Sequence, residues 1–416
     1  MKFLSAASLF IILLIAACGA PKPNYIKDAK ALQEALINAK EGDTVYVDEG
    51  TIEFTSSLSM VDKKNVTIKG KGMGKTILSF KGMAKGTGGE GLKVSNCDNV
   101  IVSDLTLLDM KGDGFKASEC FNITMRRLQV IWSNPNDSTN GAYGLYPVTS
   151  TNVIVEDCEI ANASDAGVYV GQSHHAIVRR NKVHNNVAGI EIENSFNVDV
   201  YENECYDNTG GLLVFDLPDI PVKNGDGVRV YNNNIHDNNL ANFAPPANSV
   251  AIIPAGTGFL VMATNNVEVF NNKINNNKTV NCGIISYQTT GREIKDSLYN
   301  PFCVGISVHD NSFSRQPALP DTTRQIGKVL AMTFQLNPPD IIYDGFVDPS
   351  IIVDGKIPDD KRICVRNNGK AGFANLDIPG GMKNLNTDAT ILDCSLPALA
   401  EYKAADAKVP APAAKK

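Results

Sequence analysis

The sequence lacks the motifs that mark haem-binding and nucleic-acid-binding proteins. Its nine cysteines include no Cys-x-x-Cys-His motif and none of the spacings typical of metal ligands. The chain is therefore expected to carry no haem and no cysteine-based metal site. Its formal net charge is −6, and a nucleic-acid partner would require a basic stripe. We expect no nucleic-acid function.

The sequence also has no apolar run long enough to be a convincing membrane-spanning helix. The apolar run from Phe3 to Ala17 is short, follows Lys2 and ends in Ile-Ala-Ala-Cys18. This pattern predicts a lipoprotein signal peptide over residues 1–17 and lipidation of Cys18. Gly19 follows the cysteine, which by resemblance to Gram-negative sorting rules favours the outer membrane, on its periplasmic or surface side. An ordinary signal peptide with an incidental cysteine is the alternative.

A short repeat runs through most of the remaining chain. Each copy contains Gly-apolar-x-apolar, and a second short apolar strand begins eight residues after the glycine. The glycines of five copies are Gly91, Gly114, Gly144, Gly167 and Gly189. Copies without insertions lie 22 or 23 residues apart. Such a period predicts a solenoid, in which each coil buries its apolar side against its neighbours.

A column of asparagines makes the repeat more specific. It contains Asn181, Asn203, Asn233, Asn272 and Asn311. Apolar residues alternate with polar ones before it, and an apolar residue returns two positions after it, so each coil is predicted to hold three short strands. Stacked about 4.8 Å apart, the asparagines can pass hydrogen bonds along the ladder from a bend where Asn tolerates left-handed backbone angles. The predicted fold is all-β: a single-stranded right-handed parallel β-helix.

The ends of the chain differ from the repeat. Residues 18–28 are expected to be a linker, and the β-helix to span 29–311, beginning with a capping helix whose apolar stripe includes Leu32 and Leu36. Residues 312–400 are expected to form an irregular C-terminal cover with one further coil near 363–365. Residues 401–416 are expected to be a disordered tail. Cys97 and Cys120 lie one coil apart, at a spacing compatible with either a disulfide or two free thiols.

Three segments resemble the pectin-lyase-like β-helix superfamily, and in particular bacterial parallel β-helix domain-containing lipoproteins. They are Ser164-Asp-Ala-Gly-Val-Tyr-Val-Gly-Gln172, Ala188-Gly-Ile-Glu-Ile-Glu-Asn194 and Asn208-Thr-Gly-Gly-Leu-Leu-Val-Phe-Asp216. The resemblance implies action on an acidic polysaccharide along one outer face, with calcium as a possible cofactor. It also implies a secreted c-type cytochrome as a possible partner. The Asp-Pro-His-Asp motif of the related mannuronan epimerases is absent.

The outward positions of the glycine-containing strand are the candidate site. In chain order they are Lys93, Lys116, Tyr146, Tyr169, Glu191, Leu213, Leu260 and Ile285. Insertions at 132–143 and 240–256 precede this strand, and insertions at 216–224 and 288–302 follow it. We expect the 240–256 insertion to shield the apolar end and to leave the Lys-Lys-Tyr-Tyr-Glu part as an open groove. The alternative is a purely structural ladder of strand-forming residues.

The side chains of this groove suit recognition and proton transfer on a sugar. The expected catalytic residues are Lys116, Tyr169 and Glu191, with a lysine as the base and with Tyr169 or Glu191 exchanging a proton at carbon. The expected substrate-binding residues are Lys93, Trp132, Tyr143, Tyr146, Glu119, Gln172, His174 and Glu193. Trp132 is expected to be a stacking platform, and no metal site is predicted.

The sequence therefore predicts an exported, lipid-anchored monomer that binds or modifies an acidic polysaccharide as a lyase or epimerase does. The alternative is a non-catalytic envelope accessory or binding protein that works with a partner such as the cytochrome.

Overall fold

The computed structural model describes residues 23–84 and 89–403. Within these ranges the strands form two parallel sheets that wind around one apolar core. The predicted signal peptide, Cys18 and most of the predicted C-terminal tail lie outside the described residues. No helix in the described ranges is both long enough and apolar enough to cross a membrane.

The first sheet, called the front sheet here, has eleven strands. They are β4 (Leu58–Val61), β7 (Leu92–Ser95), β9 (Phe115–Ser118), β11 (Leu145–Val148), β14 (Ala166–Gly171), β17 (Ala188–Glu193), β20 (Gly210–Phe215), β23 (Thr257–Met262), β26 (Val280–Ile285), β29 (Ile341–Tyr343) and β31 (Phe373–Asn375). This sheet contains the Gly-apolar-x-apolar segments of the repeat.

The other twenty strands form the back sheet, which supplies the remaining sides of each coil. They are β1 (Tyr25–Ile26), β2 (Thr44–Val47), β3 (Gly50–Glu53), β5 (Thr67–Lys69), β6 (Thr76–Ser79), β8 (Asp98–Leu108), β10 (Phe121–Ile131), β12 (Thr151–Glu156), β13 (Glu159–Ala161), β15 (His174–Arg179), β16 (Lys182–His184), β18 (Phe196–Tyr201), β19 (Glu204–Tyr206), β21 (Asp226–Tyr231), β22 (Asn234–His236), β24 (Asn265–Phe270), β25 (Lys273–Asn275), β27 (Val304–His309), β28 (Ser312–Ser314) and β30 (Ile363–Arg366). The further coil expected near 363–365 is β30, which pairs with β27.

Stacking of identical repeat positions gives the core its order. Ile123 pairs with Val100 on one side and with Val153 on the other, and all three are at most 1% exposed. The period-two pattern explains this burial, because alternate side chains of a strand point to the same face. The parallel strands predicted from the repeat are therefore confirmed.

The described helices lie near the ends of the coil and in insertions. They are α1 (Ala29–Asn38), α2 (Gln325–Phe334) and short 3₁₀ helices at Ser249–Ile252, Tyr287–Thr290, Pro349–Ile351, Asp359–Lys361 and Ala389–Leu392. The Asp28 side chain accepts a hydrogen bond from the Ala31 N–H, which satisfies a free donor at the start of α1. Leu32 and Leu36 of α1 are fully buried in the core, as their helical spacing predicts.

The predicted asparagine ladder is continuous and buried. Its Nδ2-to-Oδ1 hydrogen bonds run from Asn181 to Asn203, Asn233, Asn272, Asn311 and Asn368, at 2.9, 3.0, 2.9, 2.9 and 3.1 Å. The ladder asparagine was expected to have the left-handed backbone angles. In the structure the residue before it has them instead, such as Arg180 (φ 55°) or Glu202 (φ 56°). This bend turns each asparagine into the coil, where its amide reaches the next coil.

A second ladder was not predicted. It runs through Asn186, Asn208, Asn238, Asn277 and Asn281, with Nδ2-to-Oδ1 distances of 3.1, 2.9, 3.1 and 2.9 Å. All five residues are fully buried. Each coil of the central region is thus tied to the next at two bends.

The structure shows which of the two states predicted for Cys97 and Cys120, a disulfide or two free thiols, is present. Cys97 and Cys120 are buried free thiols joined by a hydrogen bond. The hydrogen bond from the Cys120 thiol is the main cause that lowers the pKa of Cys97 to about 7. The disulfide in the described residues joins Cys364 and Cys394, with a Cα–Cα distance of 5.0 Å, and was not predicted.

We expect Asn203→Ala to lower the free energy of unfolding by about 2 kcal/mol, because it leaves buried polar groups of two neighbouring coils without partners. Asn203 accepts from the Asn181 amide and donates to both Val178 O and Asn233 Oδ1. Urea denaturation measures the change. The matched control is Asn134→Ala, where the side chain is exposed and the expected change is within about 0.5 kcal/mol. Equal effects of the two substitutions would contradict a stabilising role for the ladder.

Candidate functional site

The outward column of the front sheet brings the predicted catalytic residues into one line. Lys93, Lys116 and Tyr146 are register partners on successive strands. Leu145 pairs with Val168, which places Tyr146 beside Tyr169, and Tyr169 pairs with Glu191. The line continues through Leu213, Leu260, Gly283 and Ile342. Gly283, rather than the expected Ile285, holds the next position, because Ile285 is the partner of Met262, two residues further along the strand.

The 240–256 insertion covers the middle of this line. The Asn248 amide donates to Asp165 Oδ2 at 2.7 Å, and Val250 packs in one apolar cluster with Tyr169 and Leu213. As a result Tyr169 is only 4% exposed and Glu191 only 1%. The expectation that the insertion shields only the apolar end, and leaves Tyr169 and Glu191 in an open groove, is wrong.

The half-exposed part of the line is shorter. It consists of Lys93, Lys116 and Tyr146, with Tyr143, Glu90 and Asp113 at the turns that lead into the strands. The Lys116 ammonium lies 4.8 Å from the centre of the Tyr146 ring and 3.9 Å from Glu90 Oε1. We call these six residues the polar patch.

Three tyrosines join the polar patch to the covered residues. The ring centre of Tyr143 lies 4.7 Å from that of Tyr146 and 4.4 Å from that of Tyr169. The rings of Tyr146 and Tyr169 meet edge to face at 5.0 Å. Such contacts fix the rings, so the Tyr146 hydroxyl has a defined place at the edge of the patch. Burial raises the pKa of Tyr146 to about 12, which keeps its proton in place at neutral pH.

Carboxyl groups with raised pKa values surround these tyrosines. Burial raises the pKa of Asp113 to about 6, of Glu193 to about 7 and of Asp165 to about 8. For Glu191, burial and the neighbouring Asp165 and Glu193 carboxyls raise the pKa well above its usual value. One oxygen each of Asp165 and Glu191 is buried without a hydrogen-bond partner in the described structure. These carboxyls are therefore held partly or largely protonated near neutral pH.

The sequence analysis missed Asp113 and Asp165. Both lie just before a strand of the front sheet, and the signal that identifies them is an acidic residue shortly before the repeat glycine. The signal occurs three times, at Glu90-Gly91, Asp113-Gly114 and Asp165-Ala-Gly167. Because the residues before the glycine lie in the turn, their side chains meet the end of the outward column.

Several other predicted binding residues lie elsewhere. Trp132 is buried (2% exposed) and donates from Nε1 to Met110 O at 2.8 Å, so the expectation that it forms a stacking platform is wrong. His174 lies on β15 of the back sheet and stacks on Phe196 at 4.8 Å. Glu119 and Gln172 lie in the turn that follows the front-sheet strand, both with positive φ, and Glu119 is exposed.

The carboxyl groups do not form a recognisable calcium site. Among the described residues, no group of three or more His, Cys, Asp or Glu side chains is arranged to hold a metal ion. Calcium binding normally requires six to eight oxygen ligands that converge on one point. The described residues therefore do not fit the calcium that the resemblance implies.

Two family models match the sequence. One describes a right-handed β-helix region and matches residues 130–313. The other describes rhamnogalacturonase A/epimerase, pectate lyase-like proteins and matches residues 19–213. The chain is a right-handed parallel β-helix protein. Among curated proteins, no relative matches the sequence.

Several solved structures resemble this β-helix protein at low identity. The A-module of the mannuronan C-5 epimerase AlgE4 from Azotobacter vinelandii is 18% identical, covers 69% of this chain and 82% of its own, and has a TM-score of 0.49. An exopolygalacturonase from Thermotoga maritima is 14% identical over 66% and 74%, with a TM-score of 0.44. The DFA-IIIase of Arthrobacter chlorophenolicus A6 is 13% identical over 78% and 91%, with a TM-score of 0.49. At these values the likeness is limited to the fold.

Asp165→Asn is expected to stabilise this β-helix protein increasingly as the pH rises. In the unfolded chain an aspartate ionises near pH 4, whereas the folded carboxyl keeps its proton up to about pH 8. Raising the pH through this window therefore favours unfolding of the wild type, and asparagine removes that effect. The expected gain grows from about pH 4 to about pH 8, by at most about 1.4 kcal/mol for each pH unit.

Urea denaturation at several pH values measures this gain. Asp360→Asn, at an exposed position, is the control and should show almost no pH-dependent change. A gain for Asp165→Asn that is the same at both ends of the pH range would show that the Asp165 carboxyl is not protonated in the folded protein.

Proposed function

We propose that this protein binds a polysaccharide at the polar patch and transfers protons on the bound sugar. One observation carries the proposal: a lysine, a tyrosine hydroxyl and carboxyls with near-neutral pKa values meet on one outer face. The match to a pectate lyase-like family model supports it, because residues 19–213 include the whole polar patch.

The carboxyls supply the proton-transfer capacity. A group exchanges protons best when its pKa is close to the working pH, and the pKa values of Asp113 and Glu193 are about 6 and 7. Asp113 accepts a hydrogen bond from the Tyr143 N–H at 3.2 Å, which fixes its position at the patch. Glu193 is 6% exposed and is hydrogen-bonded to Tyr169, so it acts at the covered edge.

The lysines favour an acidic sugar as substrate. Lys93 and Lys116 are neighbours in register, and each can pair with a carboxylate of a uronate chain. Removal of a proton next to such a carboxylate is the common step of a lyase and of an epimerase, and a lysine partner stabilises the charge that develops. Protonation of Asp113 below about pH 6 removes a like charge, so binding should strengthen as the pH falls.

Burial of two predicted catalytic residues favours a second candidate, a non-catalytic glycan-binding protein. Tyr169 and Glu191 lie beneath the 240–256 insertion and do not reach solvent in this arrangement. A binding protein needs only Lys93, Lys116 and the exposed edge of Tyr146. An accessory role beside a secreted c-type cytochrome fits such a protein and is supported only by the resemblance of the sequence.

Lys116→Gln tests the polar patch directly. We expect at least a tenfold loss of binding to alginate or pectate, or of turnover, because the variant removes a charge-assisted contact on the order of 1.5–3 kcal/mol. Calorimetry measures binding, ultraviolet absorbance detects unsaturated products, and NMR detects epimerised residues. Turnover by the wild type supports the enzyme, whereas binding without any product supports the non-catalytic protein.

Lys182→Gln is the matched control, since Lys182 is an exposed lysine on the back sheet. It should bind as the wild type does. If Lys116→Gln also retains wild-type binding and turnover, the polar patch is not the binding site. If only neutral glucans bind, the substrate is not an acidic polysaccharide.

We further propose that the protein is exported and anchored through a lipid on Cys18, which the Ile-Ala-Ala-Cys18 sequence supports. Cys18→Ser should move the protein from the membrane fraction to the soluble fraction, as measured by immunoblotting after fractionation. A variant that stays in the membrane fraction would contradict the lipid anchor. Separation of inner and outer membranes tests the proposed outer-membrane location.

A further inference from the structure

The apolar half of the front sheet holds a cavity that the polar patch does not use. Its volume is about 410 Å³, which is within the range of small-molecule sites, about 300–1,000 Å³. The outer face of the front sheet forms its floor, and its walls are the 3₁₀ helices Ser249–Ile252 and Tyr287–Thr290 together with α2. The insertion that was expected to cover this end of the sheet instead forms one wall of an open cavity.

A missing side chain provides room in the floor of this cavity. Gly283 pairs with Leu260 on one side and with Ile342 on the other, at a position where the neighbouring strands carry large side chains. A Cβ atom at 283 would lie 2.8 Å from Leu260 Cδ1, so any larger residue would occupy the space above the sheet. The cavity therefore depends on glycine at this point of the ladder.

The lining is suited to an alkyl chain rather than to a sugar. Leu213, Leu260, Met262, Ile285 and Val250 contribute aliphatic surface, and Leu213 is 1% exposed. Sugar rings are usually held by aromatic faces and by many hydrogen bonds. An alkyl chain needs only apolar contact, and each buried methylene group tightens binding about fourfold.

The charge of the lining selects an anionic ligand. Arg292, Arg324 and Lys328 line the cavity, and no Asp or Glu of the described residues does so, although the whole chain has a net charge of −6. Arg324 Nε donates to Ala251 O at 2.8 Å, which ties the start of α2 to the wall formed by the insertion. Arg292 and Lys328 are exposed, and neither forms an ion pair with another described residue. Both charges are therefore available to a carboxylate bound in the cavity.

We propose that this cavity binds a fatty-acid-like carboxylate, a single alkyl chain with one anionic head. The chain lies over Gly283 between Leu213, Leu260 and Ile285, and the head pairs with Lys328 and Arg292 at the mouth. This site is separate from the polar patch and does not depend on the polysaccharide function.

Calorimetric titration of the purified full chain with octanoate, decanoate and dodecanoate below their micelle concentrations tests the proposal. Affinity should rise more than tenfold with each step of two methylene groups. The double variant Arg292→Gln/Lys328→Gln should bind dodecanoate about tenfold more weakly and should bind dodecanol as the wild type does. Lys273→Gln, at an exposed lysine on β25 of the back sheet, is the matched control and should change neither affinity.

Gly283→Leu tests the floor, since it should abolish binding of both dodecanoate and dodecanol while the melting temperature stays close to that of the wild type. Leu260→Trp fills the same space from the neighbouring strand and serves if the glycine variant does not fold. Three results would each overturn the assignment: affinity that does not depend on chain length, wild-type binding by a folded Gly283→Leu variant, and displacement of dodecanoate by an acidic oligosaccharide. If dodecanol binds the wild type as tightly as dodecanoate, the cavity does not recognise an anionic head group.

Discussion

The exact stacking of one coil on the next is the constraint on which the rest of the structure depends. Backbone hydrogen bonds space parallel strands about 4.8 Å apart, but they do not by themselves prevent a strand from slipping in register. Two buried asparagine ladders prevent this, because each amide both donates to and accepts from the equivalent residue of its neighbours. If one coil slipped by one residue, the asparagine amides at both bends would lose their partners and would lie buried against apolar side chains. Register is therefore defined twice in every coil of the central region.

Because the register is fixed, residues that are distant in the sequence lie next to each other on the front sheet. The insertions then determine which of these residues are exposed to solvent. Lys116, Tyr146 and Tyr169 lie far apart in the sequence, yet they stand side by side on the front sheet. The 240–256 insertion leaves the coil after Asn238 and folds back over Tyr169 as far as Asp165, where Asn248 binds. One loop therefore divides a continuous face into a half-exposed polar patch and an apolar cavity.

The periodic part of this structure was predictable, and the aperiodic part was not. Strand positions, the line of outward residues and the first asparagine ladder follow from repeat spacing, because spacing alone decides which residues stack. The burial of Tyr169, Glu191 and Trp132 depends on where insertions fold, and nothing in the repeat specifies that. Gly283 shows the limit of the pattern: the expected alignment places Ile285 beside Leu260, whereas Gly283 pairs with Leu260 and Ile285 pairs with Met262, two residues further along.

The boundary between the two halves of the face explains the chemistry of both. Glu191 is the register partner of Leu213, the first apolar residue of the line, so its carboxyl lies against a surface that excludes water. Removal of water is the largest cause of the raised pKa values of Glu191, Glu193 and Asp165. The apolar half thus keeps the neighbouring carboxyls protonated, and the protonated carboxyls in turn let the 240–256 insertion close over them without burying several like charges. Replacing the apolar half with polar residues would therefore alter the proton affinity of Glu191, Glu193 and Asp165 as well as removing the cavity.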